Sequence, residues 1–239
     1  MGTLYVIRQG QASLFTDDYD RLSDLGRRQA RTLAEAWLDR GLEFDAAWSG
    51  ELKRQIDTAT EVAAVYSGAG RPFPEPGRSA GFNEYPADEI MATLGRALRD
   101  REPRVADLYA AAEAATDSTE RSRHFHRLLE AVIGYWVRAE HAPDEVPVSW
   151  QSWSEGVRQS LVDAMRQAKK GAAVAVFTSG GVIGVTVQTV LDAPPIKAAE
   201  LNWRIYNGSV TRYTFSGHRV SLDHFNDIGH FPRDQLTYR

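Results

Sequence analysis

At 239 residues, 43% hydrophobic and 25% charged, the chain is long enough to bury a substantial core and has the composition of an ordinary folded protein, not of a disordered, fibrous or membrane one. A net charge of −4 argues against the basic surplus of a nucleic-acid binder, and the lack of cysteine excludes disulfides, thiolate catalysis and cysteine-ligated zinc.

Met1 to Ile7 has no basic segment followed by a long apolar run, and no apolar stretch approaches the roughly 20 residues of a membrane span, so the expectation is a cytoplasmic protein without membrane contact. Thr3 to Ile7 (TLYVI) is β-rich and apolar, a buried first strand ending at Arg8-Gln9-Gly10. A polar loop with Asp17, Asp18 and Asp20 leads to Ser23, a good helix N-cap. Leu25, Ala30, Leu33, Ala34, Trp37 and Leu38 then share one helical face until Gly41. The unit repeats: Ala46 to Ser49 reads as a strand and Gly50 as a turn. Leu52, Ile56, Ala59, Ala63 and Tyr66 recur at helical spacing before Gly68.

Alternating strands and helices imply an α/β fold with a mostly parallel central sheet and helices on both faces. Gly70 to Gly77 breaks the pattern. From about 87 to 140 the chain is rich in alanine, leucine and charge, which predicts a helical insertion over the sheet's C-terminal edge within a single domain, 1–239. Arg96, Arg99, Arg101 and Arg104 in it read as solvated helix-face charges, or as readers of further negative charge on a ligand. A helix over Ser152 to Lys170 precedes the apolar strand Ala172 to Phe177, which ends at Thr178-Ser179-Gly180-Gly181. Val182 to Leu191 has β-propensity, but a parallel strand needs a crossover, so a helix is predicted there. Thr211 to Phe215 and Arg219 to Phe225 flank Ser216-Gly217-His218 as a terminal hairpin.

The chemistry concentrates at the two strand-to-glycine junctions, because ligands of open α/β sheets bind at the carboxyl ends of the strands. Arg8 brings a planar donor fork that matches phosphate, and Gly10 removes a Cβ that would keep backbone N–H groups from an anion. Alone, Arg8 is as readily a surface ion pair.

Arg8-Gln9-Gly10-Gln11-Ala12-Ser13 resembles the Arg-His-Gly-Gln/Glu-x-Ser/Thr signature of the histidine phosphatase superfamily, the phosphoglycerate-mutase-like branch 1. Leu22-Ser23-Asp24-Leu25-Gly26 with Gln29-Ala30, and Ser49 through Arg54 to Thr58-Ala59, are similar to two further stretches of that family. Phe82-Asn83-Glu84-Tyr85 falls where its acid/base glutamate lies, and the similarity continues through Phe177-Thr178-Ser179-Gly180-Gly181 to Asn226–His230. The resemblance implies that Arg8 and Arg54 clamp a phosphoryl group, assisted by Gly10, Ser179 and Gly180. It implies that Glu84 protonates the leaving oxygen and later activates water.

Two residues depart from the family pattern. Gln9 stands where the family has the histidine that attacks phosphorus, and a carboxamide has no free lone pair of comparable nucleophilicity. Ser179 stands where many members have a second histidine; it can donate one hydrogen bond but no charge. The expected function is hydrolysis of a phosphomonoester through a phosphohistidine in the ordinary form, impaired here at Gln9. The alternatives are a non-catalytic module, a pseudoenzyme that binds a phosphate ester or phosphoprotein, and a weaker route in which Glu84 directs water onto phosphorus. No cofactor and no metal are expected, since His124, His126, His141, His218, His224 and His230 lack ligand spacing. The expected partner is a phosphorylated small molecule, with no nucleic acid; a homodimer is compatible with the sequence.

Overall fold

The computed structural model describes residues 1–13, 20–217 and 219–238. In chain order the elements are β1 (Gly2–Arg8), α1 (Asp24–Asp39), β2 (Ala46–Ser49), α2 (Lys53–Gly68) and β3 (Gly77–Arg78). A helical run follows: α3 (Ala87–Ile90), a π turn (Met91–Gly95), α4 (Arg96–Arg101), α5 (Pro103–Ala114) and α6 (Ser118–Val137). The chain ends through α7 (Trp150–Gln167), β4 (Ala173–Thr178), α8 (Gly180–Val190), α9 (Ile196–Asn202), β5 (Val210–Ser216) and β6 (Arg219–Asp227).

The sheet order is β3-β2-β4-β1-β5-β6. The first four strands are mutually parallel, while β5 runs antiparallel to β1 and forms a hairpin with β6. Period-2 alternation divides the core between the two faces. Leu4 and Val6 of β1 lie beside Val174 and Val176 of β4 and join α7, α8, α9 and the helical run in one cluster. Ile7, Ala175 and Phe177 face the other way, against Leu33 and Trp37 of α1 and Val62 and Tyr66 of α2.

The predicted sheet, with helices on both faces, is what the chain forms. Ser23 caps α1 by accepting from the Gly26 N–H at 3.0 Å. The segment whose propensity pointed to strand is α8, buried from Gly180 to Val187, because packing on both sides overrides the preference of its valines and threonines. Two elements were not anticipated. β3 is two residues long, and α9 follows Pro194-Pro195 with too few residues to show a helical period. In the helical run, Arg99 pairs with Glu113 and Arg101 with Glu145 at the surface, in line with the solvated reading. His218 of the predicted hairpin turn, with Asp17 and Asp18, lies outside the described residues. Among the described residues no helix is long and apolar enough to cross a membrane.

Candidate functional site

The tips of β1 and β4 are hydrogen-bonded neighbours, with Arg8 opposite Thr178 and the Gln9 N–H donating to the Thr178 carbonyl at 2.8 Å. These tips are the carboxyl ends of neighbouring parallel strands, where open α/β sheets place ligands. Arg8 is anchored on both sides: its backbone N–H donates to the Ser209 carbonyl at 3.1 Å and its Nη1 to the Ile205 carbonyl. Gln9 is only 6% exposed, and its Oε1 is buried with no hydrogen-bond partner among the described residues. Its main-chain carbonyl accepts from the Gly208 N–H at 3.2 Å and the Asn207 side chain at 3.4 Å.

Gly10 has a task other than the expected one. Its N–H donates to Thr58 Oγ1 at 3.1 Å rather than facing an open cleft, and a Cβ here would overlap the Gly26 carbonyl in the first turn of α1. Gly26 in turn has no room for a Cβ against Gln11. The two glycines are therefore a close-packing pair that seats α1 on the β1 tip.

Arg54 enters from the first turn of α2 with a side chain 13% exposed. Asp20, a residue the sequence did not single out, holds it there. One Asp20 carboxylate oxygen accepts from the Lys53 N–H at 2.7 Å and the other from Arg54 Nη1 at 2.5 Å, so a single side chain caps α2 and orients the guanidinium. Gln55, fully buried, donates to the Phe82 carbonyl at 2.9 Å and to Ser179 Oγ at 2.8 Å. It ties α2 to both the Glu84 loop and the β4 tip.

Glu84 rests on the first turn of α8. Its Oε2 accepts from the Gly181 N–H at 3.0 Å and its Oε1 from the Tyr85 N–H at 3.2 Å. A Cβ on Gly181 would overlap Oε1, so the glycine is what lets the carboxylate approach the helix end. Part of the residue reaches solvent, but its carboxylate is densely surrounded by protein. Burial pushes its pKa above the ordinary carboxylate range, against the opposing pull of the Gly181 N–H, Arg54, the Tyr85 N–H and Arg8. The elements that carry Arg8, Arg54 and Glu84 meet at the β4 tip: Arg8 lies opposite Thr178, Gln55 beside Arg54 bonds Ser179 and the Phe82 carbonyl, and Glu84 accepts from Gly181.

The Glu84 loop is braced on all sides. Thr178 Oγ1 donates to the Phe82 carbonyl at 2.6 Å, the Trp153 indole N–H to the Asn83 carbonyl at 3.3 Å, and Asn202 to the Tyr85 hydroxyl at 3.1 Å. Tyr85 packs against Trp136 of the helical run, with ring centroids 5.3 Å apart, and against Trp153 at 5.5 Å. Asn202 also occupies the space that Gly180 leaves by lacking a Cβ. Gly180 thus serves packing directly. Ser179 is buried at the N-cap of α8; its Oγ accepts from Gln55, and its proton has no acceptor among the described residues.

His230 lies beside the β1 tip. Its Nε2 pairs with the Gly208 carbonyl at 3.1 Å and burial lowers its pKa to about 4, so it is a neutral donor supporting Gly208. Gly208, at φ +68°, bonds the Arg8 and Gln9 carbonyls, which makes His230 a structural brace of the β1 tip. Among the described residues no group of three or more histidine, aspartate or glutamate side chains is placed to hold a metal ion.

The sequence profile of the histidine phosphatase superfamily (branch 1) matches residues 4–148 and 126–228, and the chain belongs to this family. No curated protein matches the sequence. Among solved structures, the Entamoeba histolytica phosphoserine phosphatase in complex with 3-phosphoglyceric acid is 20% identical, with 96% of this chain and 99% of that one covered at a TM-score of 0.58. Bacillus stearothermophilus YhfR is 17% identical over 96% and 99% of the chains, at a TM-score of 0.65. The mycobacterial glucosyl-3-phosphoglycerate phosphatase with inorganic phosphate is 21% identical over 97% and 100%, at 0.57. At these identities the likeness is one of fold. The family and these neighbours support a phosphatase-like chain.

Proposed function

We propose that the chain binds a phosphomonoester between Arg8 and Arg54 and is a phosphatase of this family whose covalent route is impaired at Gln9. The observation that carries the reading is that the β1 tip with Arg8, the first turn of α2 with Arg54 and the Glu84 loop are all joined to the β4 tip and the start of α8 at the C-terminal edge of the sheet. In the reaction, the guanidiniums offset the charge on the phosphoryl oxygens while protonated Glu84 donates its proton to the departing alkoxide. Phosphorus then needs an acceptor. A histidine at position 9 would take it as phosphohistidine, whereas the Gln9 amide nitrogen is delocalised into its carbonyl and forms no such bond. What remains open to this chain is slow direct attack by water, in which Glu84 gives its proton to the leaving oxygen and takes up the proton released by the water, so that the carboxyl ends as it began.

A specific observation also favours the second reading, a phosphate-ester binding pseudoenzyme. The unpartnered Gln9 Oε1 is an acceptor that the hydroxyl of a monoanionic phosphate would satisfy. A histidine-to-alanine variant of the Entamoeba histolytica phosphoserine phosphatase has been seen in complex with phosphoserine, so this fold can retain a phosphoester with a histidine removed. The test is hydrolysis of p-nitrophenyl phosphate by this chain and by Gln9→His, alongside calorimetric binding of inorganic phosphate. A gain of several orders of magnitude in the histidine variant supports the impaired phosphatase. Phosphate binding without turnover in either protein supports the binding reading, and failure of both proteins to bind phosphate refutes both.

A further inference from the structure

A second concavity lies at the opposite edge of the sheet, where β1 begins and β5 ends. It measures about 1020 Å³ and has a floor of Leu4, Tyr213 and Phe215 from the sheet, Leu161 and Met165 from α7 and Val190 from α8. Its mouth carries Arg158, Arg166, Lys169 and Lys170 against one acid, Glu155, which is engaged by Arg158 at 2.9 Å. Arg166, Lys169 and Lys170 are exposed and make no ion pair among the described residues. In a chain of net charge −4, three uncompensated cations at one mouth are a local excess. Basic side chains near the C-terminal end of α7 suit its dipole, which accounts for cations there but not for the apolar hollow beneath them.

We propose that this hollow is a binding site for a small amphipathic anion, an acid with one apolar chain or ring system. Exposed cations alone hold a simple anion weakly, because water and salt screen the contact. An apolar floor alone gains free energy in proportion to the area it covers, without choosing a head group. Together they select a ligand whose hydrocarbon lies on Met165, Val190 and Val220 while its acid group stays among Arg166, Lys169 and Lys170 in water. The site stands at the far end of α8 from Gly181, so its occupation is independent of an anion held by Arg8 and Arg54.

The probe is 1-anilinonaphthalene-8-sulfonate, followed by fluorescence and displaced with dodecanoate. The expected result is one equivalent bound per chain and unchanged affinity in saturating inorganic phosphate. Affinity falls about tenfold or more in the charge reversal Lys169→Glu/Lys170→Glu and in Thr189→Trp, which places a bulky ring at an exposed position on the groove wall. Unchanged circular dichroism and phosphate affinity show that both variants fold. Equal binding by the reversal, equally tight binding of uncharged N-phenyl-1-naphthylamine, or competition by phosphate would each overturn the proposal. So would a dimer in sedimentation that Thr189→Trp dissociates, since a second copy would then cover the groove.

Discussion

The β1 tip and the β4 tip are neighbours in the same sheet, yet they tolerate change very differently. At β1, the buried side-chain oxygen of Gln9 has no hydrogen-bond partner among the described residues. At β4, the spaces beside Gly180 and Gly181 are filled by Asn202 and by the Glu84 carboxylate, and Ser179 is bonded to Gln55. The first tip carries interchangeable chemistry on a fixed backbone. The second is a fitted joint in which side-chain identity sets position.

Four measurements test that contrast. The largest effect is expected from Gln9→His, which should raise p-nitrophenyl phosphate turnover by at least about 10³-fold and leave the thermal midpoint nearly unchanged; a null result would place further damage elsewhere in the site. Next comes Gly181→Ala in that histidine background. Its Cβ displaces Glu84, so kcat should fall about 100-fold, with a loss of about 1–3 kcal/mol in denaturant titrations. If this variant keeps full activity, the β4 tip is not the fitted joint described here.

Asp20→Ala, again with Gln9→His, removes the Asp20 contacts to Arg54 and to the Lys53 N–H, and KM should rise about tenfold with a smaller change in kcat. Should KM fall instead, Asp20 competes with the phosphoryl group for Arg54 rather than orienting it. The smallest effect concerns His230. Its folded pKa of about 4 lies below its ordinary 6.5, so the unfolded chain takes up the proton first and stability declines as pH falls from about 6.5 to 4. His230→Gln should flatten that part of the stability-pH curve, as read by thermal melts across the window.

Much of this was written locally in the chain. The β-rich apolar run TLYVI, the Ser23 cap and the helical period of Leu52 to Tyr66 reveal the sheet and its helices, because each signal spans only a few neighbouring residues. Arg8, Arg54 and Glu84 were legible through family resemblance, which carries long-range information that spacing lacks. What stayed hidden depends on contacts across the sequence. The Gly10 N–H is taken by Thr58, 48 positions away, and nothing near Gly10 announces it. Gln55 looks like any helix glutamine until it is found between Phe82 and Ser179, and Asp20 like any loop acid until α2 begins beside it.

One buried amide orders these parts in time as well as in space. Gln29 Oε1 accepts the Gln11 N–H at 2.8 Å, and its Nε2 donates to the Gln235 carbonyl at 2.7 Å and Thr237 Oγ1 at 2.9 Å. During synthesis the loop behind the first strand must therefore wait, its keystone amide half satisfied, until residues 235–237 have emerged from the ribosome. The turn beside the β1 tip is secured by residues more than 200 positions further along the chain.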